Sequence, residues 1–194
     1  MLKVCLFIEI CFLLFLKSYC QIIHNEPSDI YKLKIVPRKS FMFNSLIKSE
    51  GDTLEMVSCS KYVIYPFGII NDEQSIKSGL LSMFFVVSKE VDDSIFKYLD
   101  LKYKKSWLKL IFESDENDAD HSNIVKGVIN DSNIITVNNI KVGMNIKSFY
   151  NIYFRSYPEN IQEKYKTIIF NYCVEGIKHV YHFENKKLIK IEYF

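Results

Sequence analysis

Histidine, cysteine and carboxylate are the side chains of this 194-residue chain that can hold a metal or move a proton, and their spacing restricts what they do. His179 and His182 fall on one predicted strand with two residues between them, so they point to opposite faces and cannot clasp one ion. His179 shares a face with Ile177, Tyr181 and Phe183 and reads as a core histidine, whereas His182 lies with Lys178 and Glu184 on the more polar face. His24 and His121 stand alone, and no His-x-x-x-His or His-Glu-x-x-His spacing occurs. Glu113, Asp115, Glu116, Asp118 and Asp120 gather hard oxygen ligands of the kind calcium takes. Counted from Asp115, however, the fifth position is Ala119, the sixth is not glycine and the twelfth is Lys126. The run therefore reads as a solvated turn whose charge guards the flanking strands from edge pairing.

Nucleophilic chemistry is equally hard to seat. There is no Gly-x-Ser-x-Gly elbow, no phosphate-cradling glycine loop and no pair of carboxylates beside a base. Cys173 and His179 can approach across a turn, but an oxidising compartment favours a disulfide or a buried thiol over a catalytic pair. No residue is assigned to catalysis, to a cofactor or to a metal.

The compartment follows from the N-terminus. Met1-Leu2-Lys3, an apolar run over 4–16 and then Lys17-Ser18-Tyr19-Cys20-Gln21 have the layout of a signal peptide over residues 1–20. The apolar run contains Glu9 and falls short of the roughly 20 residues that a bilayer core demands, so no transmembrane span is expected in the mature chain. Cleavage after Cys20 uses Ser18 and Cys20 as the small residues. A lipid anchor on Cys20 is the weaker alternative, because Tyr19 and Lys17 stand where a lipobox has small and aliphatic residues. The expected location is secreted or periplasmic. Of five cysteines, Cys59 and Cys173 then remain; they either pair across more than a hundred residues or stay as two buried thiols.

Composition narrows the partners. With 48% apolar and 25% charged residues but only 6 Gly and 4 Pro, the chain is globular. One alanine (Ala119) and two arginines (Arg38, Arg155) among 25 basic residues point to an A/T-rich genome. A net charge of +2 carried by lysine, which lacks the bidentate fork of arginine, argues against nucleic acid. Residues 21–120 carry 13 basic and 16 acidic groups and residues 121–194 carry 10 and 6, so the first half suits a basic partner.

The elements that must position these residues are α+β in pattern. Residues 21–69 read as a lead-in followed by strands over 41–48, 54–58 and 62–65. A first unit over 70–138 opens with a helix from Asn71 and Gln74 that carries Ile76, Leu80, Met83, Phe84 and Val87. A short helix over 92–99, a strand over 103–113 and a hairpin around Asn130-Asp131-Ser132, with strands over 124–129 and 133–137, complete it. The second unit, 139–194, has a strand over 140–144 and a helix capped by Asn145 with Ile146, Phe149, Tyr150 and Tyr153 on one face. Strands over 167–174, 177–184 and 188–193 close it as a meander. Ile76-Lys77-Ser78 precedes Ile146-Lys147-Ser148 by 70 residues and Phe112-Glu113 precedes Phe183-Glu184 by 71, which suggests a tandem repeat.

The run Ile140-Lys141-Val142-Gly143-Met144, a helix, Pro158 and strands ending in Tyr181-x-Phe183-x-Asn185-x-Lys187-Leu188-x-x-Ile191 resembles the small envelope lipoproteins of the outer-membrane assembly (SmpA/OmlA) type. The β-lactamase-inhibitory proteins are similar and use the pattern twice in tandem. The chain departs in lacking glycine before Pro158, in having Lys186 where the turn glycine is usual, and in its lipobox. The resemblance implies a sheet with helices on one face and a non-catalytic, protein-binding role.

The expected architecture is an antiparallel sheet with two or three helices on one face, in two tandem units. The expected function is steric docking onto another protein, as an inhibitor or immunity-type partner or as an envelope adaptor. Asp115, Glu116, Asp118, Asp120, Tyr172, Tyr181, His182 and Tyr193 are the candidate surface, because tyrosine offers large contact area with few rotors. The alternatives are a hydrolase using carboxylates from distant segments, marked by a deep pocket holding two carboxylates or a His with a carboxylate, and a carrier of small apolar ligands, marked by a large apolar cavity between sheet and helices.

Overall fold

The computed structural model describes residues 36–38, 43–92, 96–113, 124–173 and 176–194. The expected leader and the acidic loop with Asp115, Glu116, Asp118 and Asp120 lie outside the described residues. In chain order the elements are β1 (Val36–Pro37), β2 (Phe43–Glu50), β3 (Thr53–Ser58), α1 (Lys61–Ile64), α2 (Glu73–Ser78), β4 (Phe85–Asp92), β5 (Phe96–Tyr103), β6 (Ser106–Glu113) and β7 (Ile124–Ile129). They continue with α3 (Ile146–Tyr153), β8 (Phe154–Ser156), α4 (Ile161–Lys164), β9 (Thr167–Tyr172), β10 (Lys178–Glu184) and β11 (Lys187–Tyr193). The fold is α+β. Nine strands form one sheet in the order β2-β3-β9-β10-β11-β7-β6-β5-β4, and β1 with β8 makes a separate small ladder.

Alternation of burial explains the strands. In β6, Ser106, Leu108 and Leu110 are buried while Trp107, Lys109 and Ile111 are not, and β3 alternates in the same way. Two meanders result, β4 to β7 and β9 to β11, joined where β7 meets β11 antiparallel. Their seam consists of Ile129 opposite Ile191, Val128 opposite Glu192 and Gly127 opposite Tyr193. Exchanging 127 with 191, 128 with 192 and 129 with 193 reproduces this register, so a local two-fold passes through the Val128–Glu192 pair. Each outer hairpin carries a bulge at the matching place. The ladder of β6 with β7 skips Val125, and that of β10 with β11 skips Ile189. This register sets Leu110, not Phe112, in the place of Phe183.

The sheet is mixed rather than wholly antiparallel, because β3 lies parallel to β9 from Thr53 opposite Thr167 to Ser58 opposite Tyr172. That register carries Cys59 alongside Cys173, and the two are disulfide-bonded with Cα atoms 5.0 Å apart across a separation of 114 residues.

Among the described residues four short helices cover one face. Phe149 on α3 sits at the centre of the core, its ring 4.8 Å from Tyr181, 4.9 Å from Tyr153 and 5.1 Å from Phe183 between centroids. The helix starts where Asn145 Oδ1 accepts from the Lys147 amide at 2.8 Å. Gly143 enters it at φ +88, a left-handed conformation that glycine adopts freely. Asn185 and Lys186 turn β10 into β11 with both residues left-handed, as a two-residue hairpin turn requires, so Lys186 tolerates the place a glycine would fill.

Several local expectations change. Residues 62–65 are not a strand: 62–64 belong to α1 and Tyr65 caps its C-terminus, because Ser60 Oγ accepts from the Tyr62 amide and starts a helical turn. The helix expected from Asn71 is α2, capped instead by Asp72, whose Oδ1 accepts from the Ser75 amide and hydroxyl at 2.7 Å. It stops at Gly79, and the aromatic and β-branched residues Phe85, Val86 and Val87 extend as β4. Of the short helix expected over 92–99, Asp92 instead ends β4 and 96–99 open β5, with Glu73 on α2 bridging the two strands through Lys89 at 2.7 Å and Lys97 at 2.5 Å. Residues 133–137 and 140–144 are loops, the first turned by Asp131 Oδ1 accepting from the Asn133 amide at 2.9 Å.

Two stability outcomes follow. Replacing both Cys59 and Cys173 by serine lowers unfolding free energy by about 2–5 kcal/mol in urea titration, the range for a long closed loop. A Cβ on Gly127 would lie 2.5 Å from Leu108 Cδ2 and 2.7 Å from the Trp107 carbonyl oxygen. Gly127→Val therefore forces β6 away from β7 and costs about 1–3 kcal/mol by thermal melting; an unchanged Tm would disprove so close an approach.

Candidate functional site

The two faces of the sheet are chemically unlike. Buried residues of all four helices, including Val63, Ile76, Phe149, Tyr153 and Ile161, share one hydrophobic cluster with Leu54, Met56, Leu99, Leu101, Leu108, Leu110, Phe170, Tyr181 and Ile191. The opposite face contributes nothing to that cluster, and among the described residues no helix packs on it. Val180, on this face, is 6% exposed yet stands outside that cluster.

Directly opposed residues form one continuous row across eight strands of this face. From β4 to β3 they are Phe85, Lys102, Trp107, Val128, Glu192, Val180, Ile169 and Glu55. Phe85 is 72% exposed and Trp107, the single tryptophan, 39%. Beside Trp107 the next residues along the strands are Asp100, Lys109 and Lys126, again opposed in register. Lys109 Nζ lies 3.3 Å from Glu90 and 4.9 Å from the centroid of the Tyr98 ring.

At the centre of the row Glu192 is tethered on both oxygens. His182 Nε2 lies 2.5 Å from its Oε2 and Lys190 Nζ 3.1 Å from its Oε1. Burial alone would raise this carboxyl, but the hydrogen bonds from His182 and Lys190 outweigh it and hold it below the ordinary glutamate value. The tether fixes a charge in a mostly apolar row without leaving it unpaired.

Of the described residues expected on a binding surface, His182 alone is on the open face. Tyr181 and Tyr193 are each 2% exposed and belong to the core, which corrects their expected role. Both point to the helix side, as the alternation of β10 and β11 dictates. Tyr172 is half-buried and lines an open groove of about 470 Å³ with Tyr62, Tyr65, Ile69, Val137 and Cys59. A second open cleft of about 790 Å³ has Tyr165, Thr167 and His182 on its walls and Glu163 and Lys186 at an exposed rim, 3.0 Å apart. Among the described residues no cluster of three or more His, Cys, Asp or Glu is placed to hold a metal. Nor is any helix there long and apolar enough to cross a membrane.

Trp107 escaped the sequence reading as a site residue because its strand is apolar on both faces. The signal was nonetheless present. Trp107, Lys109 and Ile111 alternate with a wholly inward set, and a large aromatic on the solvent side of a strand is the informative member. With the fold and face described, no protein-family model, no curated protein and no solved structure matches this chain.

His179 behaves as a core residue. It is 2% exposed, its ring stands edge-on to Tyr193 at 4.7 Å, and its Nδ1 lies 3.5 Å from the Tyr181 hydroxyl. Burial pushes its pKa from 6.5 down to about 3, so it is neutral in the folded chain and charges readily only when unfolded. Between those values the unfolded state binds the extra proton, and stability falls as pH drops from 6.5 towards 3, by up to about 1.4 kcal/mol per unit. His179→Phe should flatten that limb in urea midpoints measured against pH; an unaltered slope would place the acid sensitivity elsewhere.

Proposed function

We propose that this chain is a non-catalytic protein-binding module that docks a partner on its open sheet face. The carrying observation is a row of directly opposed side chains, with Phe85 and Trp107 exposed, on a face that no described helix covers. An apolar aromatic on a broad, largely pre-formed sheet is the kind of anchor around which interfaces concentrate their binding energy. The charged groups nearby are mostly engaged within the face, as at Glu192, so little has to be reorganised when a partner arrives.

The mode of action in this reading is steric, as an inhibitor, immunity-type protein or envelope adaptor that covers a surface on its partner. A signal peptide over 1–20 and secretion or a periplasmic location fit the exposed residues at the Cys59–Cys173 disulfide, a bond that persists in oxidising compartments. Duplication of one helix-plus-strands unit is part of the same proposal. Its support is the matching bulges at Val125 and Ile189 on either side of the β7–β11 seam.

The hydrolase alternative rests on the cleft beside His182. There the lining carboxylates are Glu163, exposed and bound to Lys186, and the exposed Glu184, while the histidine–carboxylate pair of His182 with Glu192 is closed by Lys190 on the second oxygen. The docking reading is tested by photo-crosslinking. The purified chain, carrying p-benzoylphenylalanine in place of Phe85 or, as a control, of Lys147 on the helix side, is incubated with extract of the source cells. One discrete product from position 85, lost on adding Trp107→Ala, is expected. Equal products from both positions, or none from position 85, would reject the open face as the docking surface.

A further inference from the structure

We infer that the partner meeting Trp107 presents carboxylates around an apolar socket, so that this end of the open face takes an acidic protein surface. The inference rests on the docking reading above and adds the chemistry of what docks. Trp107 is directly opposed by Lys102 on β5, and Lys126 on β7 is the next outward residue beyond its other neighbour, Val128. Both lysines are exposed. Among the described residues neither has a carboxylate within ion-pairing distance, whereas Lys109 pairs with Glu90, Lys190 with Glu192 and Lys104 with Asp131. Of the carboxylates near the tryptophan, Glu192 is held by His182 and Lys190, while Asp100 accepts from the Ser88 hydroxyl and keeps its charge, which leaves the lysines Lys102, Lys109 and Lys126 outnumbering Asp100 and Glu90 there.

Lys126 stands directly opposite Lys109, and like charges facing each other across a ladder destabilise a sheet. Such a pair is relieved when a partner supplies the missing anion. The charge halves of the sequence point the other way, towards a basic partner for the first half, but folding places Lys102 of β5 and Lys126 of β7, both without an ion pair among the described residues, around the exposed aromatic. A membrane fits less well, because Glu192, Glu90 and Glu55 share the same face and an anionic bilayer would meet them together with the lysines. A protein partner can match that mixed pattern charge by charge.

Trp107 is the only tryptophan, so its fluorescence reports on this spot without labelling. The purified chain is titrated with the peptide acetyl-Glu-Leu-Glu-Leu-Glu-amide, with its lysine counterpart, and with phosphatidylglycerol vesicles. The acidic peptide should shift Trp107 emission saturably, with affinity that weakens as salt is raised, and Lys102→Glu with Lys126→Glu should reduce that affinity about tenfold while leaving the circular dichroism unchanged. Equal or tighter binding of the lysine peptide, insensitivity to salt, or a response to vesicles alone would overturn the inference. If the acidic peptide has no effect while position 85 still crosslinks, the acidic partner is rejected and the docking face stands; if the crosslink is absent as well, both fall.

Discussion

Three residue pairs between β7 and β11 are what make one sheet out of two. Without Ile129–Ile191, Val128–Glu192 and Gly127–Tyr193, each meander would end in an exposed edge strand, and neither alone spans the core. The seam strand β7 also lacks room for a side chain at Gly127, where a Cβ would meet Leu108 and the Trp107 carbonyl oxygen of β6, while Tyr193 stands opposite on β11. Everything on the open face inherits its alignment from this join, since the row from Phe85 to Glu55 is continuous only if the register across it holds.

A second constraint closes the far end. Parallel strands need a long crossover, and here the crossover from β3 to β9 contains the whole first meander and α3. The disulfide fixes its two ends beside each other, which limits the entropy the unfolded chain can recover. Lead-in strands that looked separable in the sequence are thereby built into the same sheet as the C-terminal meander. The aromatic cluster around Phe149 then packs that meander against α3, where Tyr153 and Phe170 rings lie 4.5 Å apart between centroids.

The sequence was most legible where one local rule acted alone. The α3 helix with its Asn145 cap, the β9–β10–β11 meander and the inward place of His179 followed from periodicity and turn chemistry. It was least legible where tertiary packing overrode a local pattern. Ile76 to Val87 has helical spacing, but Gly79 and the need for an edge strand beside β5 divide it into a helix and a strand. The binding-surface tyrosines failed for a related reason. Composition marks tyrosine as interface-prone, yet strand parity turns Tyr181 and Tyr193 inward with Phe183 and Ile191, and only the pairing register decides which side is open. The β3–β9 adjacency was beyond local reading altogether, because parallel neighbours more than a hundred residues apart leave no short-range mark.

The local two-fold through Val128 and Glu192 sets Trp107 and Val180 at equivalent places, one large and exposed, the other small and covered. A face with the same side chain at both places would accept a visitor in either of two orientations, half a turn apart, with nothing to choose between them. Unequal side chains on a near-symmetric frame remove that ambiguity. The surface has a direction, like a plug with one broad pin, and whatever seats on it does so one way round.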